Sequence, residues 1–305
     1  MKGTPDTSRT SRTTRDIDGT LRREVPSTVG LLADPGDFAA MRDYRSFCFD
    51  HHDAYADYLR HVDALLRTLA TEGVHTTVAL FDPEEYADYC AEHGLDPDTA
   101  AARTRFTSGL GGPGGLPYTG QPVEELVPLL VDASLRQATR EYAGMLLARA
   151  GQCADCGTDI GRASFERATE ILRRLLAVAG PGHHHLVCSV PGPDEQLLAV
   201  LHAETPDDPC GPPRTEGTEA LAFVTVLAAG LALGAAGGLV LRSTTEGFRD
   251  RVHGWRLDRG RLIALNAASV FDAYCTDADT GEPVAPEPGV EYCPGYEVDL
   301  PDPHH

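Results

Sequence analysis

Lysine is almost missing from this chain: Lys2 is the only one, and every other full cation is an arginine. With 46 acidic against 26 basic residues and a formal net charge of −20, the chain as a whole lacks the phosphate-neutralising surface that general nucleic-acid binding requires. Nucleic acid is excluded as a partner, an anionic membrane is disfavoured, and a protein partner is favoured over both. The first residues, MKGTPDTSRTSRTTRDIDG, carry arginines but no apolar run behind them, so a secretory signal is also lacking. Cysteine is sparse for a disulfide scaffold of this length. The eight, at 48, 90, 153, 156, 188, 210, 275 and 293, include several inside apolar runs, where a buried thiol is the usual occupant. A reduced, cytoplasmic, acidic protein is the expectation.

Three catalytic signatures are missing as well. No G-x-S-x-G marks a nucleophile elbow, no G-K-[S/T] follows the glycines of TSGLGGPGGLPYTGQP (107–122), and no G-x-G-x-x-G opens a helix there. That stretch reads as a Gly/Pro-rich loop. His202-Ala-Glu204 followed by Pro209-Cys210 shares letters with the H-x-E … P-C-x-x-C pattern of zinc deaminases. The spacing fails, because four residues separate Glu204 from Pro209 and no second cysteine follows at the required step.

What is present is a chain of 305 residues, 42% apolar, long enough to bury one large core or two ordinary ones. Residues 1–36 are rich in Ser, Thr, Arg, Asp and Pro and read as a disordered tail, with order beginning near Phe38. From Tyr44 the pattern is strand (YRSFCFD), helix (53–73), strand (VHTTVALFD) and helix (PEEYADYCAEHG), a βαβα unit over 37–106 with a parallel strand pair. A long helical pattern follows from Val123 to Ala150, then an amphipathic one from Ser164 to Ala179. HHHLVCSV and QLLAVLHAE flank PGPDE as a hairpin. An apolar helix near 218–234, the strands GLVLRSTT, VHGWRL and RLIALNA, and a short helix SVFDAYC complete the series. The fold class is therefore α/β to α+β: an N-terminal βαβα unit, central helices, and a mainly antiparallel C-terminal sheet with helices on one face, residues 123–305 packing with 37–106. Ala220–Leu241 carries no charge and is long enough to span a bilayer. Gly237-Gly238 and the β-branched patch behind them favour a buried helix running into a strand.

Two sites carry chemistry on this reading. Cys153-Ala-Asp-Cys156-Gly157 has the form of a turn that offers two thiolates to a tetrahedral metal. A structural zinc is the candidate cofactor, completed by Cys275 with Cys293, by His183 or His185 with Cys188, or by Cys210 with His202; a redox-active pair and plain reduced thiols at a helix connection are the competing readings. The second site uses the Phe-Asp endings of the two predicted parallel strands. Asp50 and Asp82, with His51, His52 and Asp53 beside Asp50, would lie beyond adjacent strand ends, where Mg²⁺-dependent hydrolysis or phosphoryl transfer places its carboxylates. Helix N-capping competes for the same aspartates and is favoured. The leading functional expectation is a binding or regulatory protein, and the metal-dependent hydrolase is the alternative.

Overall fold

The computed structural model describes residues 27–49, 53–112, 114–208, 211–277 and 280–298. Contacts divide the chain into two compact units, residues 1–135 and 136–305. Helices combine with mixed sheets in an α+β fold.

The first unit runs β1 (Ser27–Leu31), α1 (Pro35–Met41), α2 (Tyr55–Thr71), β2 (Thr76–Leu80), α3 (Pro83–His93), α4 (Ala100–Gly109), β3 (Leu116–Pro117) and the first half of α5 (Val123–Arg149). The parallel pair is real, but its first strand is STVGL, with Ser27 opposite Thr76 and Leu31 opposite Leu80. This corrects two expectations. Residues 27–36 are a strand and the start of a capped helix, not a tail, and residues 44–49 form turns, not a strand. The reason lies in where backbone donors go. Tyr44 N–H bonds Met41 O and Phe47 N–H bonds Tyr44 O, while Ser46 N–H goes to the Asp98 carboxylate at 2.8 Å. No ladder remains for a strand, and the rings of Phe47 and Phe49 instead pack edge-on against Phe38.

Residues 1–26 lie outside the described part, as do Asp50, His51 and His52. The core of this unit is aromatic. Phe38 meets Phe47, Phe49, Tyr55 and Tyr58, and Phe81, Tyr86, Tyr89 and Phe106 form a second cluster. The hydroxyls tie down the link after β1: Tyr58 accepts from Leu32 N–H at 3.0 Å, and Tyr55 donates to the carbonyls of Leu32 and Ala33. Burial pushes the Tyr58 phenol well up, so it stays protonated there.

The second unit holds the rest of α5, then α6 (Ile160–Ala179), β4 (Gly182–Pro191), β5 (Gln196–Thr205), β6 (Arg214–Thr215), α7 (Gly217–Leu233), β7 (Gly237–Thr244), β8 (Asp250–Asp258), β9 (Arg261–Ala264), α8 (Ala267–Tyr274) and β10 (Val290–Tyr292). Its sheet runs β10-β8-β7-β4-β5-β6, with β9 paired to β8; all pairings are antiparallel except β10 with β8. The expected hairpin β4–β5 pairs Leu186 with Leu201 and Cys188 with Ala199. Period-two alternation sends Leu186, Cys188 and Val190 to one face with Leu197, Leu201, Leu239, Leu241 and Trp255. The apolar residues of α6 and α7 close over that face.

α7 is buried from Ala222 to Leu231, which explains its unbroken apolar character. It is 17 residues long and ends at Leu233, with the strand β7 following. Among the described residues no helix is long and apolar enough to cross a membrane, so the bilayer-length run is a helix and a strand in succession. Gly230 is required by packing. A Cβ there would sit 2.4 Å from Leu257 Cδ2 and 2.8 Å from Val190 Cγ2.

Candidate functional site

The strand-end carboxylates do lie where sequence logic looks for them, but they cap helices. Asp82, just after β2, accepts from Glu84 N–H at 2.7 Å and Glu85 N–H at 3.1 Å. Its counterpart after β1 is Asp34, which accepts from Gly36 N–H at 2.6 Å and Asp37 N–H at 3.0 Å. The capping role of Asp82 is thus observed, and residues 47–49 supply no second strand end to set Asp50 beside it. Asp37 is pushed up, first by burial and then by the neighbouring Asp34, Asp82 and Glu84 charges. Asp53 is described, near the start of α2, where its carbonyl faces Arg42. Among the described residues no three His, Cys, Asp or Glu side chains are grouped to hold a metal ion. Of the residues in the magnesium reading, Asp82 is a helix cap and Asp53 lies near α2, while Asp50, His51 and His52 lie outside the described residues.

Cys153 and Cys156 sit on the turn between α5 and α6. Backbone bonds close it: Cys153 N–H to Thr158 O at 2.9 Å, Gly157 N–H to Cys153 O at 2.8 Å and Ile160 N–H to Gly151 O at 3.0 Å. Gly157 takes φ 71°, which a glycine allows without strain. The completing ligands do not gather. Cys188 is wholly buried in the sheet core, and burial pushes its thiol up to about 12. Cys275 is buried with its thiol at Tyr292 Oη, 3.4 Å away. Cys293 directs its thiol to the Glu291 carbonyl, while His183 and His185 stand exposed on β4. The described residues therefore offer two thiols and no grouped third ligand. Cys210 lies outside the described residues.

The histidines do assemble, with each other. On the sheet face away from α6 and α7, the ladder sets His185 opposite His202 on β5 and Arg242 on β7, with the two imidazole centroids 4.8 Å apart. His183 and His185 share this face, as alternation demands, and His184 turns inward. Its Nε2 meets Gly180 O at 2.9 Å and its Nδ1 meets Ser243 Oγ at 3.0 Å. The groove over these residues has a volume of about 820 Å³. Its charges are internally matched: Glu219 holds His202 Nδ1 at 3.2 Å and accepts from His202 N–H and Arg136. Arg242 is clamped by Asp250 at 2.8 Å and by both Glu287 oxygens. His185 is pushed down by burial, then by His202 and Arg242. The charged groups of this groove neutralise one another.

The first unit contains a cavity of about 660 Å³. Leu32, Met41, Tyr58, Val62 and Phe81 form its buried floor, and Phe47, Phe49 and Leu65 its rim. Hydroxyls enter from β1 (Ser27, Thr28) and from α4 (Thr104, Thr107, Ser108), and Arg103 is the one charged side chain among the described lining residues. An apolar cavity with a few converging polar groups is the usual form of a small-molecule site. The sequence reading missed it because β1 was read as tail and no helix was recognised at α4, whose end was taken into the Gly/Pro-rich loop. Thr99, whose hydroxyl caps α4 through Ala102 N–H, was the available signal.

The fold and its cavities define a two-unit α+β protein with an apolar pocket in the first unit and a polar groove in the second. Residues 13–121 match the model of a domain of unknown function, DUF8829, and that span takes in the whole lining of the first unit's pocket. No characterised protein and no solved structure matches the chain.

Proposed function

We propose that this chain is a small-molecule binding protein and that the pocket of the first unit is its binding site. The observation that carries the reading is the pocket's composition: nine large apolar or aromatic side chains around about 660 Å³, with few polar residues, most of them on β1 and α4. Well-packed interiors seldom leave such a space, and a ligand that fills it recovers the burial that Phe47, Phe49 and Leu65 forgo. The described lining holds a single thiol, Cys48, and no Asp, Glu or His to activate it, so we read the pocket as a binding site. Titration with apolar and aromatic small molecules, read by thermal unfolding, tests this. A saturable rise in melting temperature that is lost on Thr104→Trp, which plugs the mouth from an exposed helical position, is the expected result; no rise with any ligand class contradicts it.

A structural zinc at Cys153 and Cys156 is the second part of the reading, supported by a closed turn that carries both thiols. Elemental analysis with thiol counting on native and denatured protein tests it. Zinc together with masked thiols supports it; no zinc, with both thiols reactive in the native state, overturns it.

A further inference from the structure

The pocket of the first unit has an electrical asymmetry that goes against the rest of the chain. In a protein of net charge −20, its described lining contains no Asp or Glu and one arginine, Arg103. The guanidinium is held from one side only. It donates to the Ser46 hydroxyl and, at 2.8 Å, to the Ser46 carbonyl, both uncharged. Among the described residues it makes no ion pair, in contrast to Arg60 with Asp57 and Arg67 with Asp63 on α2. Asp98 stands one bond removed, its carboxylate taken by Ser46 N–H at 2.8 Å. Ser46 is therefore a positioning group, fixed by Asp98 and in turn fixing the plane of Arg103. Three hydroxyls on the same helix, Thr104, Thr107 and Ser108, and Thr28 on β1 line the same cavity.

We infer that the pocket takes an organic monocarboxylate with an apolar body, its carboxylate on Arg103 and its body against Phe47, Phe49, Phe81 and Val62. This rests on the pocket being the binding site and names the class of ligand. An arginine fork matches a carboxylate through two parallel hydrogen bonds, and such charge-assisted bonds are roughly twice as strong as neutral ones. A neutral ligand of the same shape would leave the cation to water or to Ser46 alone. A cationic ligand meets repulsion with no acid among the described lining residues to offset it. The Thr104 and Ser108 hydroxyls already donate to the Ala100 and Arg105 carbonyls of their own helix, which leaves Thr28 and Thr107 as the hydroxyls to meet the remaining carboxylate lone pairs.

The experiment compares 4-phenylbutanoate with its neutral isostere 4-phenylbutanamide by isothermal titration of the full chain, with Arg103→Gln, Arg103→Lys and Thr104→Trp alongside. The acid is expected to bind about tenfold or more tightly than the amide, the difference one charged hydrogen-bond pair supplies. Arg103→Gln should erase that preference while leaving amide binding in place, Arg103→Lys should keep most of it, and Thr104→Trp should abolish both. Retained amide binding by Arg103→Gln shows that the variant is folded. Equal affinities for acid and amide, unchanged in Arg103→Gln, overturn the carboxylate inference and leave the pocket reading standing. Binding that survives Thr104→Trp, or no binding of either compound at millimolar concentration, overturns both.

Discussion

The two units solve the same burial problem with different side chains, and the difference decides which of them keeps an open interior. In the second unit, Leu, Val and Ala from β4, β5 and β7 meet α6 and α7, with two fully buried rings, Phe223 and Trp255, among them. Branched aliphatic side chains interdigitate at high density, so that core closes, and the groove described above lies on its solvent face among matched charges. In the first unit, two short parallel strands and one two-residue partner are surrounded by aromatic rings. Rings prefer edge-on and offset contacts at 4.5–7 Å between centroids and leave wedge-shaped gaps when few strands organise them. Phe47 and Phe49 stay half-buried for that reason, and the gap beside them is the pocket.

Substitutions that treat the two cores alike should separate them, and the largest effect is expected at Trp255. Its indole N–H donates to Tyr296 O at 2.8 Å, and Trp255→Ala should cost about 3–5 kcal/mol by denaturant unfolding. Binding of 4-phenylbutanoate under folding conditions should persist; its loss would mean that the site belongs to the second unit. Next comes Gly230→Ala, where the new methyl group collides with Leu257 and Val190. About 1–3 kcal/mol of destabilisation is expected from overpacking, and a neutral result would show that the sheet–helix core is looser than described.

Asp82→Ala removes a cap from α3 and should cost about 1 kcal/mol, the same with magnesium or with a chelator in the buffer. A stability or activity that depends on magnesium and disappears in Asp82→Ala would restore the metal reading. The smallest effect is electrostatic and belongs to the second unit. His184 is pushed below its usual 6.5, first by burial, with His183 and Arg251 adding in the same direction. Its folded form thus resists a proton that the unfolded chain accepts. The stability it contributes is fully present above about pH 6.5 and is lost as pH falls through the folded value, His185 acting in the same sense. Denaturation midpoints measured from pH 7.5 to 5 should fall more steeply in the parent than in the His184→Gln, His185→Gln double variant. Parallel curves would sink the assignment.

Much of the second unit was legible in the sequence, because its periods are strong and local. HHHLVCSV and QLLAVLHAE alternate cleanly around a turn, and α6 carries buried residues at Ala168, Ile171, Leu172, Leu175 and Leu176, a helical stripe. The first unit was harder. STVGL and YRSFCFD are both short runs beside a Pro or Asp, and nothing local says that the first pairs with Thr76–Leu80 while the second spends its donors on turns. The logic of two carboxylates beyond parallel strand ends was sound in topology and wrong in partner: LLAD, not FCFD, matches ALFD. The pocket was out of reach for a similar reason. Arg103, Thr28, Phe47 and Leu65 come from four separate segments, and only tertiary packing brings them to one wall.

The central claim is that the first unit's pocket, not the second unit's histidine groove, receives the ligand. Backbone amide shifts of the isotopically labelled chain during titration with 4-phenylbutanoate address it directly. Saturable perturbations should cluster at residues 27–32, 47–49 and 100–108 and leave His185, His202 and Arg242 unmoved. Shifts centred on those three residues, or none that saturate, would contradict the account.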